Sequence, residues 1–191
     1  NTLDGIILSH NDADHIGAWG ASAGGHLVAL MGTSSGESAL EGDVGGNLDQ
    51  SSKVQAVCDW FGPTDLVKLC RLAMTLGADD GTSTVKPQPK RLKTPDLFRK
   101  LFGGELDDRL DTAKLANPIP LADKTDPPFL IMHGDKDPLV PLAQSQELET
   151  ALTKVGVPVK LEVVKDAGHG FWSQDILKTV ISFFDERLRP S

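Results

Sequence analysis

Three short segments of this sequence carry residue types that together could perform nucleophilic catalysis. Gly20-Ala21-Ser22-Ala23-Gly24 is a G-x-S-x-G pentapeptide with a serine at its centre. Residues 133–141 read His-Gly-Asp-Lys-Asp-Pro-Leu-Val-Pro, and residues 166–171 read Asp-Ala-Gly-His-Gly-Phe. A serine hydroxyl is a weak nucleophile until a base removes its proton, and an acid must orient that base. The three segments supply a serine, acids and a base in the order Ser, Asp, His; two ordinary polar loops after a turn are the alternative.

The pentapeptide around Ser22 predicts a sharp turn from a strand into a helix. Ile16 and Ala18 form a short apolar run before it. The apolar helical segment after it contains Leu27, Val28, Leu30 and Met31. Such a turn strains the backbone of its central residue, so the residues two positions before and after it, here Gly20 and Gly24, must be small. The Ser22 hydroxyl would then lie at a helix N-terminus, where the dipole favours a developing negative charge. The alternative is a glycine-rich turn with a capping serine.

The acid and the base each have competing candidates. Asp135 and Asp137 follow the same predicted strand; one is expected to be the acid, and the other to stabilise the turn. His169 follows the last predicted strand and is the candidate base. His133 ends a strand, and its ring is expected to brace the following turn. His26 lies one turn into the helix after Ser22 and is expected to pack against a neighbouring loop.

The composition is that of one globular domain. The chain has 191 residues, with 39% hydrophobic and 24% charged residues. A net charge of -8 argues against a nucleic-acid partner. No apolar run is long enough to span a membrane, so no membrane partner is expected. The start has no signal-peptide pattern, which favours a cytoplasmic location. Cys58 and Cys70 do not make a disulfide framework, and Cys58 is expected to be a buried thiol.

Strand-like and helix-like segments alternate from residue 15 onward. Strands are predicted around residues 16–18, 54–60, 129–133 and 159–163. Helices are predicted from residue 23, and at 65–76, 95–102, 141–155 and 176–188. Residues 32–52 and 77–95 are predicted to be loops. This alternation predicts a parallel α/β sheet flanked by helices, with right-handed crossovers. Active sites of such sheets lie beyond the carboxyl ends of the strands, where Ser22 falls.

Residues 3–17 show a different pattern. An apolar strand precedes His10-x-Asp12-x-Asp14-His15, which resembles the metal-binding motif of metallo-β-lactamase-fold hydrolases, particularly those related to DNA-uptake proteins. Imidazole and carboxylate groups at this spacing suit zinc or manganese. The other ligands of that fold are not visible downstream. Residues 1–14 are therefore interpreted as an atypical segment, a fused or chimeric start, in which the residues from His10 to His15 form a surface loop that holds no metal.

Four ordered motifs resemble the α/β-hydrolase esterases, most closely the esterase/lipase group that includes acetylxylan and feruloyl esterases. They are Gly-Ala-Trp-Gly-Ala-Ser-Ala-Gly-Gly-His-Leu at 17–27, Asp-Trp-Phe-Gly-Pro-Thr-Asp-Leu at 59–66, the run at 133–141, and Gly-His-Gly-Phe at 168–171. The resemblance covers about residues 14–190. It implies the α/β-hydrolase fold for this part of the chain.

The resemblance also implies a mechanism. Ser22 matches the nucleophile, Asp137 the acid and His169 the base, and the backbone N–H of Ala23 matches one oxyanion donor. The implied function is a serine carboxylesterase that hydrolyses short-chain or carbohydrate-linked acyl esters through an acyl-enzyme. Such an enzyme needs no cofactor, and its partner is a small-molecule ester.

The chain departs from the family pattern before Ser22. Only 21 residues precede this serine, and they contain no His-Gly-Gly-type loop to supply the other oxyanion donors. The chain thus resembles a fold lacking its N-terminal strands, with residues 1–14 as a separate segment and 15–191 as the hydrolase domain, including a loop or cap insertion at about 66–118. The missing strands would leave an open sheet edge unless residues 3–9 replace one. A homo-oligomer, most simply a dimer that buries the region around residues 3–20, is therefore predicted.

Three other functions fit parts of the sequence. A prolyl-oligopeptidase-like serine peptidase would use the same elbow. A metal-dependent hydrolase would use the residues from His10 to His15. An inactive hydrolase-like fragment would have a role only in assembly.

Overall fold

The computed structural model describes residues 5–9, 15–42, 49, 51–77 and 94–189. Its strands are β1 Gly5–Ser9, β2 Ile16–Ala21, β3 Ala56–Trp60, β4 Phe129–Gly134 and β5 Val159–Val164. Its α-helices are α1 Ala23–Thr33, α2 Ser38–Glu41, α3 Leu66–Gly77, α4 Thr94–Phe102, α5 Leu110–Leu115, α6 Ala143–Val155 and α7 Gln174–Leu188. Two short 3-10 helices lie at Asp107–Arg109 and Ile119–Leu121.

The five strands form one sheet in the order β1-β2-β3-β4-β5. Strands β2 to β5 are parallel, as the alternation of strands and helices predicts. The predicted parallel sheet with flanking helices is therefore confirmed. Strand β1 is the exception, because it pairs antiparallel with β2, with Gly5 opposite Gly20 and Ser9 opposite Ile16.

Strand β1 changes the prediction about the sheet edge. The open edge was expected on β2 unless residues 3–9 replaced a strand, and residues 5–9 do occupy it. The predicted homo-oligomer stays a prediction. Its physical reason now applies to the outer edge of β1, because the backbone groups on the near side of β1 pair with β2.

Apolar side chains cover both faces of the parallel strands. On one face the core contains Ala18, Val28, Ala29, Val57, Phe129, Ile131, Leu148 and Leu152, which include residues of α1 and α6. On the other face it contains Ala56, Cys58, Trp60, Leu130, Met132, Val180, Phe184 and Leu188, which include residues of α7. Alternate residues of β3 and β4 thus enter opposite cores, and both strands are fully buried as near-continuous apolar runs. This burial fixes the carboxyl ends of the strands, from which the site residues project.

Most helix boundaries agree with the periodicity of the sequence, and two short helices differ from it. Helix α6 ends before Gly156, whose φ of 86° is the left-handed conformation that glycine adopts at a helix end. The stretch 32–52, predicted to be loop, contains the end of α1 and the four-residue helix α2. Helix α5 was not predicted; with six residues it has too few turns to show a helical period.

Residues Asp65–Asn117 form a second compact unit, separate from the unit that contains the sheet. The Asn117 side chain ties the two ends of this unit together. It accepts a hydrogen bond from the Leu66 N–H at 2.8 Å and donates one to Asp65 Oδ1 at 3.2 Å. The unit contains α3, α4 and α5, and it spans nearly the same residues as the insertion expected at about 66–118. Whether it acts as a cap stays a prediction.

Three features of the sequence concern metals, thiols and membranes. His10, Asp12 and Asp14 lie outside the described residues, and the described residues contain no group of three or more potential ligands that could hold a metal. Cys58 is a buried free thiol, as expected, and Cys70 is also free and buried. Within the described ranges, no helix is long and apolar enough to cross a membrane.

Candidate active site

Ser22 lies at the turn between β2 and α1 in a strained backbone conformation. Its φ is 55° and its ψ is -118°, in the half of backbone space that L-residues rarely adopt. Gly20 makes the turn possible, because a Cβ there would lie 2.2 Å from the Gly24 carbonyl oxygen. The structure thus has the strained elbow that the G-x-S-x-G spacing predicts, with Ser22 at the N-terminus of α1.

The Ser22 hydroxyl is hydrogen-bonded to the imidazole of His169. The distance from Ser22 Oγ to His169 Nε2 is 2.8 Å, although the two residues are 147 positions apart in the chain. His169 lies in the loop after β5. The backbones of Gly168 and Gly170 pair with each other, so this loop turns tightly at the histidine between them. The side chain of His169 is 17% exposed, so solvent reaches the ring.

The other nitrogen of His169 contacts Asp137. The distance from His169 Nδ1 to Asp137 Oδ2 is 2.7 Å. An ionised carboxylate can only accept hydrogen bonds, so this contact assigns the proton to Nδ1. Nε2 then carries the lone pair and accepts the Ser22 hydroxyl proton. Ser22, His169 and Asp137 therefore form one continuous hydrogen-bond chain with the polarity that nucleophilic catalysis requires.

The Asp137 carboxylate makes two kinds of contact at once. Its Oδ2 accepts from His169, and its Oδ1 accepts from the backbone N–H groups of Leu139 at 2.8 Å and Val140 at 3.0 Å. The sequence suggested that Asp135 and Asp137 divide the roles of acid and turn stabiliser. In the structure Asp137 fills both positions, while Asp135 is exposed.

His133, at the end of β4, lies behind Asp137. It is fully buried, and its Nε2 is 2.9 Å from the Val140 carbonyl oxygen and 3.3 Å from Asp137 Oδ2. Its Nδ1 is 2.7 Å from Ser145 Oγ. Because both Nε2 partners are acceptors, Nε2 carries the proton, and Nδ1 accepts from the Ser145 hydroxyl. Burial lowers the pKa of His133, which keeps the ring neutral near neutral pH. The ring braces the turn after β4, as its place in the sequence predicts.

His26 is the third histidine of this region, and its contact is with a loop. Its Nδ1 is 2.9 Å from the Pro63 carbonyl oxygen, and burial lowers the pKa of its imidazole. The geometry therefore places His26 against the loop after β3, as expected, and outside the Ser22 hydrogen-bond chain.

Backbone contacts join the loop that carries Asp137 to the loop that carries His169. The Lys136 N–H donates to the Ala167 carbonyl oxygen at 2.9 Å, and the Lys136 ammonium forms an ion pair with Asp166. Gly134 allows the close approach, because a Cβ there would lie 2.4 Å from the same Ala167 oxygen. Consequently the distance between acid and base is set by main-chain contacts as well as by side chains.

Aromatic rings pack beside His169 and around the end of β3. The ring centroid of Phe61 lies 4.8 Å from that of His169, and Phe171 lies 5.2 Å from Phe61. Trp172 packs against Trp60 and is 66% exposed. These rings were not assigned to the site from the sequence. The Asp-Trp-Phe-Gly run at 59–62 could have indicated them, because it is part of a motif of the family resemblance to which the sequence assigns no function.

The first N–H groups of α1 lie beside Ser22. Ala23 is the first residue of the helix, and the first N–H groups of a helix have no acceptor within it. They can therefore stabilise the negative charge that forms on the carbonyl oxygen of an ester when Ser22 attacks its carbonyl carbon. The geometry is compatible with the oxyanion role expected for the Ala23 N–H.

A serine on a strand-to-helix elbow of a parallel sheet flanked by helices defines the class of the α/β-hydrolases. A family comparison identifies the particular family: residues 9–152 match the BD-FAE family model, and the chain belongs to the BD-FAE family. This confirms the resemblance to α/β-hydrolase esterases.

Three similar proteins have names that describe an activity. Esterase LipQ from Mycobacterium tuberculosis (strain ATCC 25618 / H37Rv) is 31% identical over 90% of this chain and 35% of its own length. The uncharacterized peptidase YuxL from Bacillus subtilis (strain 168) is 30% identical over 78% of this chain and 27% of its own. A truncated carbohydrate esterase from gut microbiota matches with a TM-score of 0.70 and 32% identity, over 88% of this chain and 58% of its own. The chain thus spans about a third of the length of the curated relatives it matches.

Proposed function

We propose that this protein hydrolyses carboxylic esters through a Ser22-His169-Asp137 catalytic triad and an acyl-enzyme. One observation supports this proposal above the others, namely the hydrogen-bond chain of 2.8 Å and 2.7 Å that links the three side chains at the elbow. Membership of the BD-FAE family agrees with it.

Each residue has one role in the proposed reaction. His169 Nε2 takes the proton of Ser22 as Ser22 Oγ attacks the ester carbonyl carbon, and Asp137 stabilises the imidazolium that forms. The imidazolium then gives this proton to the departing alcohol, which leaves an acyl group on Ser22. A water molecule attacks the acyl group by the same proton transfers, releasing the acid and regenerating Ser22.

The proposed oxyanion donor is the N–H of Ala23. An oxyanion site commonly uses more than one donor, and losing one donor costs roughly 10²–10³ in rate.

The proposed substrates are short-chain or carbohydrate-linked acyl esters. LipQ is named an esterase, and the similar gut-microbiota protein is named a carbohydrate esterase. The proposed partner is thus a small-molecule ester, with no cofactor, and the predicted homo-oligomer remains part of the proposal.

Hydrolysis of nitrophenyl acetate tests the proposal directly. Wild-type protein is expected to release nitrophenol above the buffer rate, and Ser22→Ala to reduce this release to background. Ser182→Ala is the matched control, because Ser182 is an exposed serine on α7. Full activity of Ser22→Ala would show that this mechanism is wrong.

A serine peptidase is the second candidate, favoured by the 30% identity to YuxL. The triad and the elbow serve both reactions, so only the relative rates on ester and amide substrates distinguish the two functions. Faster cleavage of a dipeptide amide than of nitrophenyl acetate would favour the peptidase.

The two remaining alternatives have their own tests. A metal-dependent hydrolase using His10 to His15 would lose its activity with a chelator, whereas the triad would not. A protein with no turnover on any ester or amide would fit the inactive fragment.

A further inference from the structure

The carboxyl group of Asp59 is buried beneath the Ser22 elbow and has no place in the triad. Asp59 is the penultimate residue of β3, lies opposite Gly20 of β2 in the sheet, and is completely buried. Its Oδ1 accepts a hydrogen bond from the Gly62 N–H at 2.9 Å. Its Oδ2 has no hydrogen-bond partner among the residues that the structure describes. A buried polar atom without a hydrogen bond destabilises the fold, so a carboxyl group at this position needs an explanation.

The chain leaves space for this carboxyl on two sides. A Cβ on Gly25 would lie 2.3 Å from Asp59 Oδ1, and a Cβ on Gly62 would lie 2.5 Å from the same atom. Gly25 belongs to the first turn of α1, directly after Ser22. Thus Asp59 fits between the helix that presents the nucleophile and the turn that follows β3.

The turn that Asp59 closes contacts both reacting side chains. The Trp60 carbonyl oxygen accepts the backbone N–H of Ser22 at 2.8 Å. The Phe61 ring packs on the His169 ring, with an interplanar angle of 64°. A shift of residues 60–62 would therefore displace both the backbone contact to Ser22 and the ring contact to His169.

Phe61 is held in an unfavourable backbone conformation. Its φ is 43°, in the left-handed region that bulky residues avoid. Such a conformation persists only where surrounding contacts impose it. Two hydrogen bonds do so here: the Phe61 N–H donates to the Met132 carbonyl oxygen at 2.8 Å, and Asp59 binds the next N–H, that of Gly62.

We propose that Asp59 is a positioning residue of the esterase site: by accepting the Gly62 N–H, it holds the 60–62 turn that aligns Ser22 with His169. This inference rests on the proposed function. The role needs an acceptor oxygen of this size and no charge. In agreement, burial raises the pKa of Asp59 to about 7, so the carboxyl is largely neutral below that pH.

Two substitutions separate the acceptor from the charge. Asp59→Asn keeps the shape and an acceptor oxygen, so its kcat for nitrophenyl acetate is expected to stay within about twofold of wild type. Asp59→Leu is close in shape but cannot accept, and its kcat per reactive serine is expected to fall about tenfold or more, because small misplacements of reacting groups are expensive. KM should hardly change in either variant. Serines that react with a fluorophosphonate give the count of active sites.

Asp126 provides the matched control for burial. It is also a buried aspartate that accepts a backbone N–H three residues away, from Asp123 at 2.8 Å, but it precedes β4 at the end of the strand opposite His133. Asp126→Leu should lower stability without lowering kcat. If Asp59→Leu does not fold, Asp59→Ala, which needs no extra space, takes its place.

Hydrogen exchange gives a readout that does not depend on turnover. The Ser22 and Gly62 amides should exchange faster in Asp59→Leu than in wild type and at the wild-type rate in Asp59→Asn. Full kcat in Asp59→Leu, equal losses in both variants, or unchanged exchange would overturn the positioning role. If the wild type has no turnover, the proposed function fails, and exchange alone decides the role of Asp59.

Discussion

Two histidines from different regions of the molecule contact the same oxygen of Asp137. His169, in the loop after β5, places Nδ1 2.7 Å from Asp137 Oδ2, and His133, at the end of β4, places Nε2 3.3 Å from it. They differ in what the second nitrogen of the ring meets. In His133 it forms a hydrogen bond with the buried Ser145 hydroxyl of α6, whereas in His169 it faces Ser22 Oγ.

This difference assigns opposite tasks to the two rings. The contacts of His133 use both nitrogens, and burial lowers its pKa, so it serves as a neutral donor that fixes the acid. His169 is partly exposed and presents a lone pair to a hydroxyl, so it can take a proton. A histidine beside a carboxylate is therefore a candidate base only if its other nitrogen faces the nucleophile. Four substitutions test this comparison.

The largest expected effect is on activity when His169 is changed. His169→Gln removes the base, and esterase activity is expected to fall by about 10⁶-fold or to the background rate. Unfolding in urea should be nearly unchanged, because the ring is partly exposed. More than a tenth of the wild-type activity in this variant would contradict the role assigned to His169.

Asp137→Asn should have the next largest effect. An amide can donate to His169 Nδ1, which would place the ring proton on Nε2, where it faces Ser22 and cannot accept. A loss of about 10⁴-fold in kcat is expected for such a wrong tautomer. Asp135→Asn is the control two residues away, and because Asp135 is exposed it should keep wild-type kcat. Equal losses in the two variants would contradict the assignment of the acid.

Residue order in the sequence predicts which side chains meet, but it does not rank neighbours within a loop. Ser22 and His169 stand in motifs with one candidate each. Asp135 and Asp137 could not be separated by the residues alone, and only the family resemblance favoured Asp137. Two positions of one loop share no period, so the backbone path decides, and here it directs two N–H groups at Asp137.

The predictable parts of the fold are those with many periods. Helices α6 and α7 repeat an apolar face over several turns, and the buried strands are continuous apolar runs, so both were visible in the sequence. Helices α2 and α5 are too short for a period. The direction in which β1 pairs with β2, and the approach of Asp59 to Gly25, depend on how elements become neighbours in space, which the pattern within each element does not contain.

His133 should matter more for stability than for chemistry. His133→Leu leaves the Ser145 hydroxyl and the Val140 carbonyl without their side-chain partner in a buried place. The free energy of unfolding is expected to fall by about 2–4 kcal/mol. Activity should fall only about tenfold, since Asp137 keeps its two backbone donors. Urea unfolding and nitrophenyl acetate turnover measure the two effects, and an unchanged unfolding curve would contradict the bracing role.

The smallest expected effect is a change of stability with pH. The His133 pKa lies below the usual 6.5 in the folded protein, so below about pH 6.5 the unfolded chain binds a proton that the folded chain does not. Stability therefore falls as the pH is lowered through this range. His133→Gln removes this titration and keeps a polar side chain, so its deficit in unfolding free energy relative to wild type should shrink between about pH 7.5 and pH 5.5, by at most about 1.4 kcal/mol per unit. His26 titrates in the same direction but is present in both proteins, so its contribution cancels. A deficit that stays constant over this range would mean that His133 has the same pKa in the folded and unfolded chains. The claim that burial keeps the His133 ring neutral would then be wrong.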